Sequence, residues 1–326
     1  MINKLKDHIK KNKNLISVFI LFFILSFPLI RDICSGYLSY AGLDKQEFIL
    51  WDYSSKINLF PYKDFFYPYG LARYFRDYSF LFSSLYYLMA PLIFTTIYFV
   101  LKKLSKQNLL SVFSVLSLYL FIVLFVGFEA FTRYGVFIGF SLLLAYVIFY
   151  NTSRIRQYFF IGLLIGIALA LFIDQGVYLL FSFIFLYLIN FLFTKNKKQQ
   201  INIKKDFYNF ILGLLVGVLP LIIFLALTNS FLGFINYFKE VGNISLVAKV
   251  PFFSFITSKA NIFNLIAIYS SIFFLCFKFF TRKEKMNFSS YLQIVLLFCI
   301  LIMEQKSIIR SIDIQITLVS YILLLV

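Results

Sequence analysis

One histidine and three cysteines in 326 residues leave little room for metal or nucleophile chemistry. His8 sits in a lysine-rich amino-terminal stretch, so neither a histidine-based metal centre nor a Ser–His–Asp triad can be assembled. Cys34, Cys276 and Cys299 are odd in number and far apart, which gives neither a ligand spacing nor a disulfide framework. A Gly-rich phosphate loop ending in Lys is missing, and so is a dinucleotide-binding glycine fingerprint. Acidic residues are scarce as well, with 14 Asp and Glu against 31 Lys and Arg. The chemistry that remains must use carboxylates, amines, guanidiniums and aromatic rings.

Apolar residues are abundant. The chain is 61% hydrophobic with a mean hydropathy of +0.88, where soluble domains hold about 45–50% apolar residues. Apolar runs fall at residues 15–30, 79–101, 109–127, 134–150, 157–173, 176–193, 207–227, 260–280 and 288–303. Their length and spacing predict an all-α polytopic membrane protein, one transmembrane domain of about nine or ten helices. A tenth run, Gln315 to Val326, has twelve residues. That is about 18 Å of helix against a hydrocarbon core of about 30 Å, so either the last helix is incomplete or the product is truncated. The first run reads as a retained helix, because Phe27-Pro28-Leu29-Ile30-Arg31 offers no small-residue cleavage site.

The net charge of +17 would suggest nucleic acid in a soluble protein, but the positive-inside bias of membrane proteins accounts for it here. With residues 1–14 cytoplasmic, the alternating inside segments are 1–14, 102–108, 151–156, 194–206 and 281–287, and they hold eighteen of the 31 cations. Only Asp7, Asp206 and Glu284 lie there, so eleven of the 14 carboxylates fall on the outer side. The expectation is a multi-pass protein of a bacterial cell membrane, with acid chemistry available on its outer face. The 46 phenylalanines fit an A+T-rich genome, so aromatic abundance alone marks no ligand site.

The outer segments are short, with two exceptions. Residues 228–259 form a second outer loop, read as carrying an interfacial amphipathic helix. Residues 31–77 form the first and longest. Within it Asp44, Glu47, Asp52 and Asp64 stand among Tyr62, Lys63, Tyr69, Arg73, Arg76 and many further aromatics. A loop of that length and composition is a functional one. A helix over Leu43–Ile57 would put Asp44 and Glu47 on one face, and Pro61 and Pro68 would bracket a turned segment presenting Asp64. Gly127–Arg133 and Phe172–Gly176 read as tight turns carrying Arg133 and Asp174, and Arg310 lies in the last outer loop. Gly135-x-x-x-Gly139, Gly162-x-x-x-Gly166 and Gly213-x-x-x-Gly217 allow close helix approach, either within the chain or between copies. The segments Phe160–Gly166 and Ile211–Gly217 also resemble each other, as an internal repeat would.

The run Asp44-Lys45-Gln46-Glu47 followed by Lys56-Ile57-Asn58-Leu59-Phe60-Pro61-Tyr62-Lys63-Asp64-Phe65 resembles the first outer loop of GT-C type membrane glycosyltransferases. The nearest group is the bacterial proteins akin to protein O-mannosyltransferases (glycosyltransferase family 39-like). Ala170-Leu171-Phe172-Ile173-Asp174-Gln175-Gly176 resembles that family's Gly-rich helix closing on a polar pair, and the likeness spans roughly residues 15 to 180. It implies a polyprenyl-phosphate sugar donor drawn from the membrane lipid and an acceptor hydroxyl on a glycan, lipid or protein. It also implies Asp44 as general base, with Glu47 and Asp64 as further catalytic carboxylates. Glu47 is three residues from Asp44 where many members have an adjacent Asp-Glu, and Asn58-Leu59-Phe60 stands where a Gly is usual.

From residue type alone, Arg73, Arg76, Arg133, Arg310 and Lys63 are candidate phosphate contacts, Tyr62 and Tyr69 candidate sugar-stacking rings, and Asp174 a candidate polar contact. No resident cofactor is required, although carboxylates of this kind also hold divalent metals. The rival expectation is a transporter, flippase or polymerase for lipid-linked sugars. Transport calls for ionisable residues at mid-membrane, and the apolar runs lack them apart from Lys278 near a helix end.

Overall fold

The computed structural model describes residues 13–34, 53–54, 57–64, 71, 80–126, 128–150, 155–193, 203–247, 259–277, 287–310 and 322. Among them all regular structure is helical. The ten α-helices are α1 (Lys13–Cys34), α2 (Phe80–Ser105), α3 (Asn108–Phe121), α4 (Phe128–Tyr150), α5 (Ile155–Leu171), α6 (Ile173–Phe193), α7 (Ile203–Leu227), α8 (Phe231–Val247), α9 (Lys259–Cys276) and α10 (Phe288–Arg310). A π-helical stretch, Ile122–Val126, extends α3. Two stretches among the described residues, Leu88–Ser105 and Lys205–Leu227, are long and apolar enough to cross a membrane.

Each of the nine long apolar runs coincides with a helix, and local chemistry sets the ends. Asn287 caps α10, its side-chain oxygen accepting from the Ser290 N–H at 2.9 Å. The end of α7 is a Schellman motif: Asn229 takes the left-handed conformation at φ 52°, and the Ser230 N–H reaches the Leu225 carbonyl at 2.9 Å. That reversal sends α8 back across the end of α7. Two expected turns are shorter than the sequence suggested. Glu129 to Arg133 lie inside α4, and Phe172 alone separates α5 from α6, so Asp174 falls in the first turn of a helix. A carboxylate suits that position because it faces the positive end of the helix dipole.

The closest helix pair is α5 against α7, and the glycines explain it. A Cβ on Gly162 would collide with the Phe210 carbonyl, and one on Gly213 would collide with the Phe159 carbonyl. One on Gly166 would come within 2.8 Å of Gly217 Cα, and the reverse holds for Gly217. The two similar segments therefore pack on each other, in parallel and reciprocally, with backbone touching backbone. These two motifs serve contact within the chain. Gly139 works the same way on a smaller scale, opposite the Ile93 side chain of α2 at 3.2 Å.

The remaining core joins α1, α2, α3, α4, α6 and α10. Phe22 of α1 stacks on Phe94 of α2 at 4.7 Å, and the Tyr119 hydroxyl of α3 donates to the Leu25 carbonyl. At one end of the bundle Tyr146 and Phe149, late in α4, meet Phe288 at the start of α10. The Tyr291 hydroxyl of α10 donates to the Leu186 carbonyl of α6 at 2.9 Å. The other end is built from different segments, and the first loop docks there.

Candidate functional site

Five residues of the first loop, Phe60 to Asp64, form a tight turn. The Phe60 carbonyl accepts from the Asp64 N–H at 3.0 Å and from the Lys63 N–H at 3.3 Å. In return the Phe60 N–H donates to Asp64 Oδ2 at 2.8 Å. Pro61 fixes one φ angle in this turn. The carboxylate of Asp64 thus closes a reciprocal loop around Pro61-Tyr62-Lys63 while remaining exposed to solvent. Lys63 reaches back over the Phe60 ring, its Nζ 5.9 Å from the centroid. Just upstream, Tyr53 and Ser54 are helical, and the chain leaves that conformation at Asn58 with φ 58° and the Leu59 N–H on the Ser54 carbonyl at 3.0 Å. A left-handed residue with such a bond is how helices commonly end; residues 43–52 and 55–56 of the helix expected over Leu43–Ile57 lie outside the described residues.

Tyr62 is the anchor. Its ring is buried edge-on against Phe234 at 5.1 Å and Tyr237 at 5.6 Å, both on α8. Its backbone carries φ 68°, a conformation that a bulky residue holds only when its surroundings enforce it. The enforcement is visible: the Tyr62 carbonyl lies against Gly233, where any Cβ would collide with it. Around this anchor a second apolar cluster gathers Leu71 of the first loop, Ala170 ending α5, Ile173 opening α6, and Leu221 and Leu225 of α7. Phe60 adds an edge contact to Phe224 at 6.4 Å. First loop, α5–α6 junction and α7–α8 turn therefore meet at one end of the bundle.

Asp174 lies beside that junction. Its Oδ1 accepts from the Gln175 N–H at 2.9 Å and its Oδ2 from Gln175 Nε2 at 3.1 Å. Gln175 is fully buried, and its Oε1 has no hydrogen-bond partner among the described residues. Gly176 is needed next, because a Cβ there would strike the Leu169 backbone.

Of the expected site residues, the fold brings Tyr62, Lys63 and Asp64 to the same end as Asp174. Arg133 lies in the second turn of α4 and Arg310 closes α10. Asp44, Glu47, Tyr69, Arg73 and Arg76 lie outside the described residues. Among the described residues no group of three or more metal-binding side chains comes together. Sequence reasoning missed Gly233, Phe234 and Tyr237. Their signal was a glycine next to two aromatics three residues apart on one face of α8. No protein family, curated protein or solved structure matches the chain.

Proposed function

We propose that this chain is a polytopic membrane glycosyltransferase of GT-C-like architecture, acting at the outer face of the cell membrane. The membrane reading draws on how the apolar surface is distributed. Leu212, Leu215, Leu219, Ile222 and Ile223 of α7 and Tyr269, Phe273 and Phe274 of α9 are exposed, while Ser26, Ser141, Ser182 and Gln175 are buried. A soluble monomer rarely carries such large apolar faces, and a bilayer would cover them.

The observation that carries the enzymatic reading is the docking of Tyr62 among α7, α8 and the α5–α6 junction. The α5–α6 junction and α8 belong to segments that the charge count assigns to the outer face, the contacts on α7 lie near its end, and the docking gathers Lys63, Asp64 and Asp174 at one end of the bundle. Asp64 and Asp174 each already accept hydrogen bonds from neighbouring residues, which suits shaping and substrate contact better than proton abstraction. The base role falls to Asp44, as the family resemblance implies. Asp44 takes the proton from the acceptor hydroxyl, and the oxygen attacks the anomeric carbon of the sugar. The bond from that carbon to the phosphate oxygen breaks, and polyprenyl phosphate leaves with the electron pair. Arg73, Arg76, Arg133 and Arg310 are the candidates to meet its charge.

The purified chain in proteoliposomes, given a panel of polyprenyl-phosphate-linked sugars and mixed membrane acceptors, tests this reading. Protein-dependent release of polyprenyl phosphate is expected. If no donor in the panel is consumed, and labelled lipid-linked sugar crosses the bilayer instead, transport replaces transfer.

A further inference from the structure

At the opposite end of α7 from the Tyr62 cluster lies a cavity of about 310 Å³ between α5, α6 and α7. Fifteen residues of helix separate Asp206, which lines it, from Leu221, or about 22 Å at the usual helical rise. The walls are almost wholly apolar and strongly aromatic. Phe183 and Phe210 stack at 4.3 Å, and Tyr187 stands 6.0 Å from Phe183 and 6.1 Å from Tyr158. The mouth opens between Ile184, Leu188 and Phe207, all exposed.

Asp206 makes this space unusual. It is 4% exposed, and its Oδ2 has no hydrogen-bond partner among the described residues. The Tyr187 hydroxyl in the same wall is likewise buried without a hydrogen-bond partner. A position at the start of α7 stabilises negative charge but does not satisfy a buried carboxylate oxygen. Aromatic faces around a buried carboxylate whose Oδ2 has no hydrogen-bond partner among the described residues favour a cation, and apolar walls open to the surface favour a chain.

We propose that this cavity binds a long-chain amine, whose ammonium meets Asp206 and whose hydrocarbon chain lies along Phe183, Tyr187 and Phe210. The site is separate from sugar transfer and would be filled from the membrane half that holds the Lys-rich segments. The probe is tritiated dodecylamine, added to the full chain in nanodiscs and corrected for uptake by protein-free discs, with dodecanol as the neutral isostere. In the unaltered protein dodecylamine binds saturably and at least about tenfold more tightly than dodecanol, as expected for a hydrogen bond to a charged group. Asp206→Asn removes that difference and leaves dodecanol binding in place. Ile184→Trp, which fills the mouth, weakens both. Equal binding of amine and alcohol by the unaltered protein overturns the proposal without reference to any variant. So does tight amine binding that survives Asp206→Asn.

Discussion

Gly233 of α8 lies directly against the carbonyl oxygen of Tyr62, leaving no space for even a methyl group between two segments 171 positions apart. The contact holds Tyr62 at φ 68° and clamps the Phe60–Asp64 turn of the first loop onto the end of the bundle. Gly233→Ala should therefore undock the loop at a cost of about 1–3 kcal/mol, the usual range for overpacking. Faster proteolysis between residues 60 and 80 would report it. Unchanged protection would mean that the loop is held elsewhere.

Asp64 closes its turn by accepting from the Phe60 N–H at 2.8 Å. An amide oxygen can do the same, so Asp64→Asn should keep the loop docked, whereas Asp64→Ala should loosen it by about 1 kcal/mol. Thermal unfolding of the two variants in the same detergent separates them. Loss of sugar transfer in Asp64→Asn with stability intact would instead give Asp64 a chemical role.

The three Gly-x-x-x-Gly motifs should respond unequally. Gly213→Ala places a methyl on the Phe159 carbonyl, a backbone atom that cannot step aside, and should lower folded yield sharply. Gly139→Ala meets only the Ile93 Cγ2 at 3.2 Å. A side chain can move by a few tenths of an ångström, so folded yield should fall little. Monodisperse recovery from gel filtration checks both.

The helices were legible because apolar runs separated by charge clusters leave no alternative to helix. Asn229 and Asn58 marked helix ends in ways that can be read backwards from structure to sequence. The α5–α6 junction differs in detail from its sequence pattern: Asp174-Gln175-Gly176 reads as a polar turn, yet its carboxylate and glycine suit the first turn of a tightly packed helix. Tyr62 as an anchor could not be foreseen. In a chain with 46 Phe and 23 Tyr, no ring announces which partner it will find. Asp206 was hidden for the opposite reason, since it follows Lys204 and Lys205 and looks like part of a solvated charge cluster.

The proposed membrane sidedness predicts a labelling pattern. With the native cysteines replaced, Lys63→Cys should react with an impermeant maleimide added to intact cells, because Lys63 is exposed on the docked loop. Asn287→Cys, at the start of α10 and on the side assigned to the cytoplasm, should react only after permeabilisation. The reverse pattern would invert the topology and move the carboxylates to the cytoplasm.

In the proposed function a first-loop carboxylate, Asp44, drives sugar transfer from a polyprenyl-phosphate donor. Its most direct test is the rate of donor consumption by Asp44→Asn in proteoliposomes, beside the unaltered chain at matched protein content. A fall of about 10²–10⁴-fold is expected, the usual contribution of a general base, with membrane expression unchanged. Full activity in Asp44→Asn would contradict it.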